Sequence, residues 1–155
     1  MADNNTYTQI HIQLVFAVKY RKSQIQSSWK EELYKYITGI IQNRKHIMLA
    51  INGMSDHIHI LIGMRPTQAV SDLVEEVKSS SSKWINEKKF MAEKFNWQDS
   101  FGAFSYGKSQ IEQVVKYIHN KERHHLKKTF RQEYVEFLEK FGIEYDEKYV
   151  FKELI

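Results

Sequence analysis

The chain has 155 residues, of which 42% are hydrophobic and 27% charged, and its formal net charge at pH 7 is +4. This length predicts one domain, spanning residues 1–155, with a sizeable core. The absence of cysteine excludes disulfide bonds and thiolate metal sites. No apolar run approaches the ~18 residues of a membrane span, and the start is too polar for a signal peptide, so we expect a cytoplasmic protein.

The first part of the chain predicts a strand, a helix and two further strands. Every second residue of Gln9–Lys19 is apolar, which is typical of a strand with one buried face. The capping-box pattern at Ser28–Glu31 predicts the start of a helix. HIMLAI at 46–51 and HIHILI at 57–62 predict a hairpin whose loop, of about five residues, contains Asn52-Gly53.

The second part predicts a helix, a strand and two more helices. Ser71 begins the first of these helices, and FGAFSYG at 101–107 is a strand pattern. Two further capping boxes, Ser109–Glu112 and Thr129–Gln132, open the remaining helices, and the last one is expected to stop near Gly142.

The order of these elements predicts an α+β fold. Its first six elements follow the ferredoxin-like (split βαβ) pattern, an antiparallel sheet with two helices on one face. Residues 1–107 would form this core, and residues 108–155 would add a tyrosine-bearing helix and a C-terminal helix. Fold alone does not specify function.

The strand segment DHIHILI, at 56–62, places two histidines on one face. Side chains alternate along a strand, so His57 and His59 share a face while the isoleucines point to the other. A buried imidazole needs a polar partner. A structural hydrogen bond and a metal ion both remain open at this point.

Tyr117 stands apart from the apolar stripe of the helix that Ser109 opens. At roughly 100° per residue it lies about 110° from that stripe, on a polar flank. It is either a partly exposed aromatic residue or a functional group. A tyrosine hydroxyl can attack phosphorus, and a divalent ion held by two imidazoles could neutralise the charge that develops there.

Four segments together resemble the single-tyrosine HUH transposases of the insertion-sequence two-hundred-like group (TnpA type). They are TYTQIHIQLVFAVKYR, INGMSDHIHILIGM, FGAFSYGKSQIEQVVKYIHN and HHLKKTFRQEYVEFLEKFGIEYDEKYVF, and they occur in the family's order over nearly the whole chain. The family's His-hydrophobic-His triplet falls on His57, Ile58 and His59, and its nucleophile falls on Tyr117.

The resemblance implies a function. Such enzymes cleave and rejoin single-stranded DNA at insertion-sequence ends through a 5′-phosphotyrosine intermediate. They recognise hairpins near those ends, use Mg²⁺ or Mn²⁺, act as homodimers and need no nucleotide cofactor. A bacterial or archaeal, nucleoid-associated protein is therefore expected.

One position departs from the family pattern. The family's third metal ligand is a glutamine one turn after the tyrosine, where this chain has Lys121. A protonated lysine has no lone pair to donate, so we expect weaker metal binding than in a Lys121→Gln variant. Asn120, Glu122 or His124 could substitute as the ligand. Alternatively, Lys121 contacts the scissile phosphate, or this copy is impaired.

Clustered basic residues are candidates for contacts with DNA phosphates. The candidates are Lys19, Arg21, Lys22, Lys121, Arg123 and Lys127. The alternative is a solvated charged surface. Two other functions also stay open, a domesticated or catalytically weakened relative that binds hairpin DNA, and a non-enzymatic ferredoxin-like metal- or RNA-binding module.

Overall fold

The computed structural model describes residues 6–22, 24–120 and 128–146. Its strands are β1 (His11–Ala17), β2 (Ile47–Met54), β3 (His57–Gly63) and β4 (Gly102–Tyr106). The α-helices in the described ranges are α1 (Lys30–Asn43), α2 (Val70–Lys88), α3 (Ile111–His119) and α4 (Phe130–Lys140). Among these described helices, none has the length and apolar character needed to cross a membrane.

The four strands form one antiparallel sheet in the order β2-β3-β1-β4. This is the order that the ferredoxin-like pattern requires, and the predicted α+β fold is confirmed. β3 lies between β2 and β1, so both histidines stand on an inner strand. In the sheet, His57 pairs with Ala17 and His59 with Val15 on the neighbouring β1.

Each face of the sheet carries its own core. Alternate residues of β1 and β3, such as Phe16 and Ile60, pack with α1 and α2 on one face. The opposite face, with Val15 and Leu61, packs with α3 and α4. The two helices of the ferredoxin-like core therefore share one face as predicted, while α3 and α4 cover the face that carries the histidines.

The predicted hairpin loop is wrong in its position. β2 continues to Met54, with Asn52 opposite His59 and Gly53 opposite Ile58, and the turn is at residues 55–56. A Cβ at Gly53 would lie 2.2 Å from the carbonyl oxygen of His57. Gly53 thus allows a close approach of two strands, and it is not the turn residue that the Asn-Gly pair suggests.

Only one of the three predicted capping boxes forms as expected. Thr129–Gln132 makes both reciprocal hydrogen bonds, of 3.0 and 3.2 Å. Ser28 does not cap α1. The N-cap residue of this helix is Trp29, which makes no side-chain capping hydrogen bond and whose side chain is buried in the core. Ser109 does not cap α3 either, because the chain enters that helix through a 3-10 turn in which Gln110 accepts from a backbone N–H.

Candidate metal and tyrosine site

His57 and His59 form the floor of a buried polar cluster on the sheet face covered by α3 and α4. Both side chains are fully buried, and their ring centroids are 5.3 Å apart. The strand alternation puts them side by side, as the sequence predicts. Two fully buried imidazoles require polar partners. The structure supplies three, namely Asp56 for His57, Gln13 for His59, and Glu133 for both.

Glu133 in the first turn of α4 is the partner above both histidines. Its Oε1 lies 3.1 Å from Nε2 of His59 and 3.5 Å from Nε2 of His57. The carboxylate is itself only 5% exposed. One ligand atom from each of the three residues lies within 4.8 Å of the others, so the cluster could hold a metal ion.

The hydrogen bonding of His57 fits a metal ligand. Its Nδ1 lies 2.6 Å from Oδ1 of Asp56, a contact in which the ring nitrogen donates. Nε2 then carries the lone pair, and it faces the Glu133 carboxylate. A metal ion placed between these two electron-rich atoms, which are 3.5 Å apart, would relieve their repulsion. A carboxylate behind a ligating imidazole is also the usual support for a metal-bound histidine.

His59 has a different partner on its other nitrogen. The side-chain Nε2 of Gln13 lies 2.8 Å from Nδ1 of His59, and Tyr106 donates its hydroxyl hydrogen to Oε1 of Gln13 at 2.7 Å. Gln13 is fully buried and Tyr106 is 8% exposed. The histidine pair is therefore connected through the sheet face to a buried amide and a buried phenol.

Tyr117 reaches the same cluster from α3. Its hydroxyl donates to Oε2 of Glu133, and its ring centroid lies 6.3 Å from that of His59. Burial, reinforced by the negative charge of Glu133 and the hydrogen bond to it, raises the pKa of the Tyr117 phenol well above its usual range. The phenol is thus held protonated next to the two histidines of its own chain.

Asn52 of β2 fixes the end of the helix that carries Tyr117. Its Nδ2 donates to the carbonyl oxygens of Ile118 and His119, at 3.1 and 3.2 Å. The last carbonyls of a helix lack partners within the helix, so this side chain both satisfies them and ties α3 to the sheet. Tyr117 lies in that anchored last turn.

A pocket of about 250 Å³ adjoins Tyr117 and Glu133. Its wall contains the cationic side chains of Lys128 and Lys140, together with polar and aromatic groups of β4, α3 and α4. The remaining lining residues are Gln13, Tyr106, Gln110, Gln113, Val114, Glu136 and Phe137. The pocket gives the nucleophile candidate an open space on one side.

The structure brings together the three residues that the sequence singles out, His57, His59 and Tyr117. Asn120, a candidate third ligand, lies exposed just beyond α3. The candidate ligands Glu122 and His124 lie outside the described residues. The same holds for three of the candidate DNA contacts, Lys121, Arg123 and Lys127.

Glu133 and Gln13 are two residues of the histidine cluster that the sequence did not reveal. An acidic residue in the first turn of a helix already has an explanation in the helix dipole, so Glu133 carries no separate signal. Gln13 lies on the polar side of an amphipathic strand, where any polar residue would fit the alternation. Only the packing of α4 and β1 against β3 identifies them.

The first basic cluster lies at the end of the sheet nearest His57. A 3-10 turn, Lys19–Arg21, follows β1, and the backbone N–H of Val18 donates to the carbonyl of Asp56 at 2.8 Å. Lys22 is exposed and its Nζ lies 3.7 Å from Glu93. These predicted DNA contacts thus border the turn that precedes the histidines.

Comparisons with known proteins bear on the fold and the family of this chain. The ISDra2 transposase TnpA of Deinococcus radiodurans is 25% identical over 124 residues, covering 74% of this chain and 87% of that protein. A transposase crystal structure from D. radiodurans aligns with TM-score 0.63 and 19% identity, over 78% of this chain and 97% of the other.

A REP-associated tyrosine transposase bound to a REP hairpin aligns with TM-score 0.60 and 16% identity, over 81% of this chain and 74% of the other. At these identities the two solved structures support the fold. The family model described as "Transposase IS200 like" matches residues 6–121. Since this match spans well over half of the chain, the protein belongs to the IS200-like transposase family.

Proposed function

We propose that this transposase cleaves and rejoins single-stranded DNA at the ends of its mobile element, with Tyr117 as the nucleophile. The observation that carries the proposal is the convergence of the half-buried Tyr117 with the buried His57, His59 and Glu133. Glu133 is 74 residues from His59 in sequence and 16 residues from Tyr117, so the cluster forms only when α3 and α4 pack on the histidine face of the sheet.

The chemistry follows from the atoms that are present. Tyr117 Oη would form a bond to phosphorus while the bond from phosphorus to the 3′ oxygen breaks, leaving a 5′-phosphotyrosine and a 3′-hydroxyl. The phenol hydrogen already points at Glu133 Oε2, and the leaving oxygen takes up a proton. Attack by a 3′-hydroxyl on the phosphotyrosine reverses these steps and rejoins the strand.

His57, His59 and Glu133 would hold the divalent ion, Mg²⁺ or Mn²⁺. A carboxylate oxygen supplies the hard donor that these ions prefer, and two imidazoles alone do not. When bound, the ion would neutralise negative charge on the scissile phosphate. Asp56 and Gln13 would orient the two imidazoles from behind.

DNA binding is the second part of the proposal. The pocket beside Tyr117 offers room for part of a strand, and Lys128 and Lys140 in its wall can approach phosphates. Hairpin DNA is the proposed substrate because a structural relative is bound to a REP hairpin. The basic residues singled out from the sequence, Lys19, Arg21, Lys22, Lys121, Arg123 and Lys127, remain proposed phosphate contacts.

A homodimer belongs to the same proposal, on the basis of the family resemblance. Tyr117 contacts the cluster of its own chain here, so each subunit contains the parts of one site. Light scattering tests the dimer. Mixing Tyr117→Phe with His57→Ala subunits tests exchange, because shared sites would restore cleavage in demonstrated heterodimers.

The decisive experiment is incubation with labelled single-stranded DNA from the element ends and Mn²⁺, followed by denaturing electrophoresis. Wild-type protein should give an adduct that survives denaturation, and Tyr117→Phe should give none while still binding the hairpin. Tyr36→Phe is the matched control, since Tyr36 stacks on Trp84 in the other core, with ring centroids 4.7 Å apart. Hairpin binding without an adduct would favour a weakened relative, and no DNA binding would favour a non-enzymatic module.

A further inference from the structure

The two histidines of the site are held in different tautomers. Asp56 can only accept a hydrogen bond, so Nδ1 of His57 carries the hydrogen and Nε2 carries the lone pair. The amide nitrogen of Gln13 can only donate, so Nδ1 of His59 carries the lone pair. Nε2 of His59 then bears the hydrogen and donates it to Glu133 Oε1, 3.1 Å away.

This arrangement leaves only His57 ready to ligate a metal through Nε2. A neutral imidazole has one lone pair, and in His59 that lone pair points at Gln13, away from Glu133. For Nε2 of His59 to ligate, its hydrogen must move to Nδ1. The group facing Nδ1 must then be an acceptor.

Gln13 can become that acceptor without moving its backbone. An amide presents an oxygen and a nitrogen of nearly the same shape, so rotating its end by half a turn exchanges them within the same space. Oε1 would then accept from His59 Nδ1–H, and Nε2 would donate to the Tyr106 hydroxyl. That hydroxyl can donate or accept, and it therefore satisfies either orientation of the amide.

We propose that Gln13 is a positioning residue whose amide orientation selects the tautomer of His59, and that Tyr106 is the partner that permits both orientations. Metal-free protein has the hydrogen on Nε2 of His59, bonded to Glu133. Metal-bound protein has it on Nδ1, bonded to Oε1 of Gln13. The inference rests on the metal role proposed above for His59.

The burial of Gln13 and Tyr106 supports a role in positioning His59. Gln13 is fully buried, and its nearest functional groups are His59 on one side and Tyr106 on the other. A buried amide is costly unless its donors and acceptors are bonded. Partners that fix the ring nitrogen opposite a metal typically change metal affinity by 10–100-fold when they are removed.

Two variants separate positioning from packing. Gln13→Glu places acceptors on both sides, toward Tyr106 and toward His59 Nδ1–H, and should lock the metal-ready tautomer. The double variant Gln13→Leu/Tyr106→Phe removes the polar pair without leaving a buried hydroxyl unpaired. If Gln13 were only a packing residue, the buried carboxylate of Gln13→Glu would weaken metal binding at least as much as the double variant does.

The first measurement is the ¹⁵N NMR spectrum of the imidazoles in metal-free full-length protein. We expect His59 to carry hydrogen on Nε2 in the wild type and on Nδ1 in Gln13→Glu. A wild-type His59 with hydrogen on Nδ1, or an unchanged tautomer in Gln13→Glu, would overturn the proposal.

The second measurement is the affinity for Mn²⁺ by calorimetry, without DNA. Gln13→Glu should bind at least as tightly as the wild type, and the double variant should bind about 10–100-fold more weakly. Undiminished affinity in the double variant would refute the positioning role, even if Gln13→Glu failed to fold. Neither readout involves DNA cleavage, so a failure of Tyr117 to form an adduct would contradict the proposed function and leave this inference standing.

Discussion

Tyr117 and Glu133 are joined by a hydrogen bond from the phenol to one carboxylate oxygen, while the other oxygen of Glu133 faces both histidines. A single side chain of α4 thus contacts the proposed nucleophile and the proposed metal ligands at once. Any change at Glu133 should therefore affect metal affinity and the environment of Tyr117 together.

Replacing Glu133 by glutamine should weaken Mn²⁺ binding by at least about tenfold, because the negative oxygen donor is lost while the size is kept. Calorimetry on metal-free protein measures this. Glu136→Gln is the matched control one turn further along α4, where the carboxylate lies 2.6 Å from Lys128 and is exposed. Equal affinities in the two variants would show that Glu133 is not a ligand.

Two glycine-to-alanine changes should have opposite effects on the free energy of unfolding. Gly53→Ala puts a methyl group against the backbone of β3, 2.2 Å from the His57 carbonyl oxygen, and should lower the free energy of unfolding by about 1–3 kcal/mol. Gly39→Ala, inside α1 with nothing within 4 Å, should raise it by about 0.5–1 kcal/mol. Urea titrations of both variants check the signs, and a neutral Gly53→Ala would contradict the close strand approach.

The sequence predicts those parts of the fold that depend on local periodicity. The alternation along β3 places His57 and His59 on one face, and the order of elements predicts the sheet. Prediction from the sequence fails where the role of a residue depends on a neighbour that is distant in the chain. Gly53 looks like a turn residue because its close contact with β3 is tertiary, and Glu133 meets His59 across 74 residues of sequence.

Asn52 should control the position of α3. Asn52→Asp replaces the donating nitrogen by an oxygen that faces the carbonyls of Ile118 and His119, and unpaired acceptors of this kind cost about 1–3 kcal/mol. We expect faster amide hydrogen exchange in α3 and slower adduct formation. Asn86→Ala is the control, since Asn86 makes similar side-chain-to-backbone bonds to Phe95 away from the site. Equal effects of both variants on adduct formation would refute a local role for Asn52.

Tyr106 should make the fold sensitive to alkaline pH. Burial raises its pKa from 10.0 to about 12, so between these values the folded chain binds a proton that the unfolded chain has released. This contribution to stability is complete below about pH 10 and falls as the pH rises toward 12, by up to about 1.4 kcal/mol per pH unit.

Tyr106→Phe should therefore show a shallower fall in unfolding free energy above pH 10 than the wild type. At pH 8 it should be about 1 kcal/mol less stable, because the hydrogen bond to Gln13 is lost. Urea titrations at several pH values measure both effects. Parallel curves above pH 10 would show that the buried phenol does not have a raised pKa.

Lys121 lies outside the described residues, and its effect on metal binding can be tested directly. Considered from the sequence alone, lysine at the position of the family's glutamine should leave the metal short of a ligand, so Lys121→Gln should bind Mn²⁺ more tightly. The structure provides another donor, because Glu133 already lies within 3.1 and 3.5 Å of the two imidazoles. With Glu133 as the third ligand, we now expect wild type and Lys121→Gln to bind Mn²⁺ with equal affinity in the absence of DNA. The double variant Lys121→Gln/Glu133→Gln sharpens the test, since an amide at position 121 that ligates would rescue the loss caused by Glu133→Gln. Tighter binding by Lys121→Gln alone would contradict this expectation and show that the side chain at position 121 acts on the metal site.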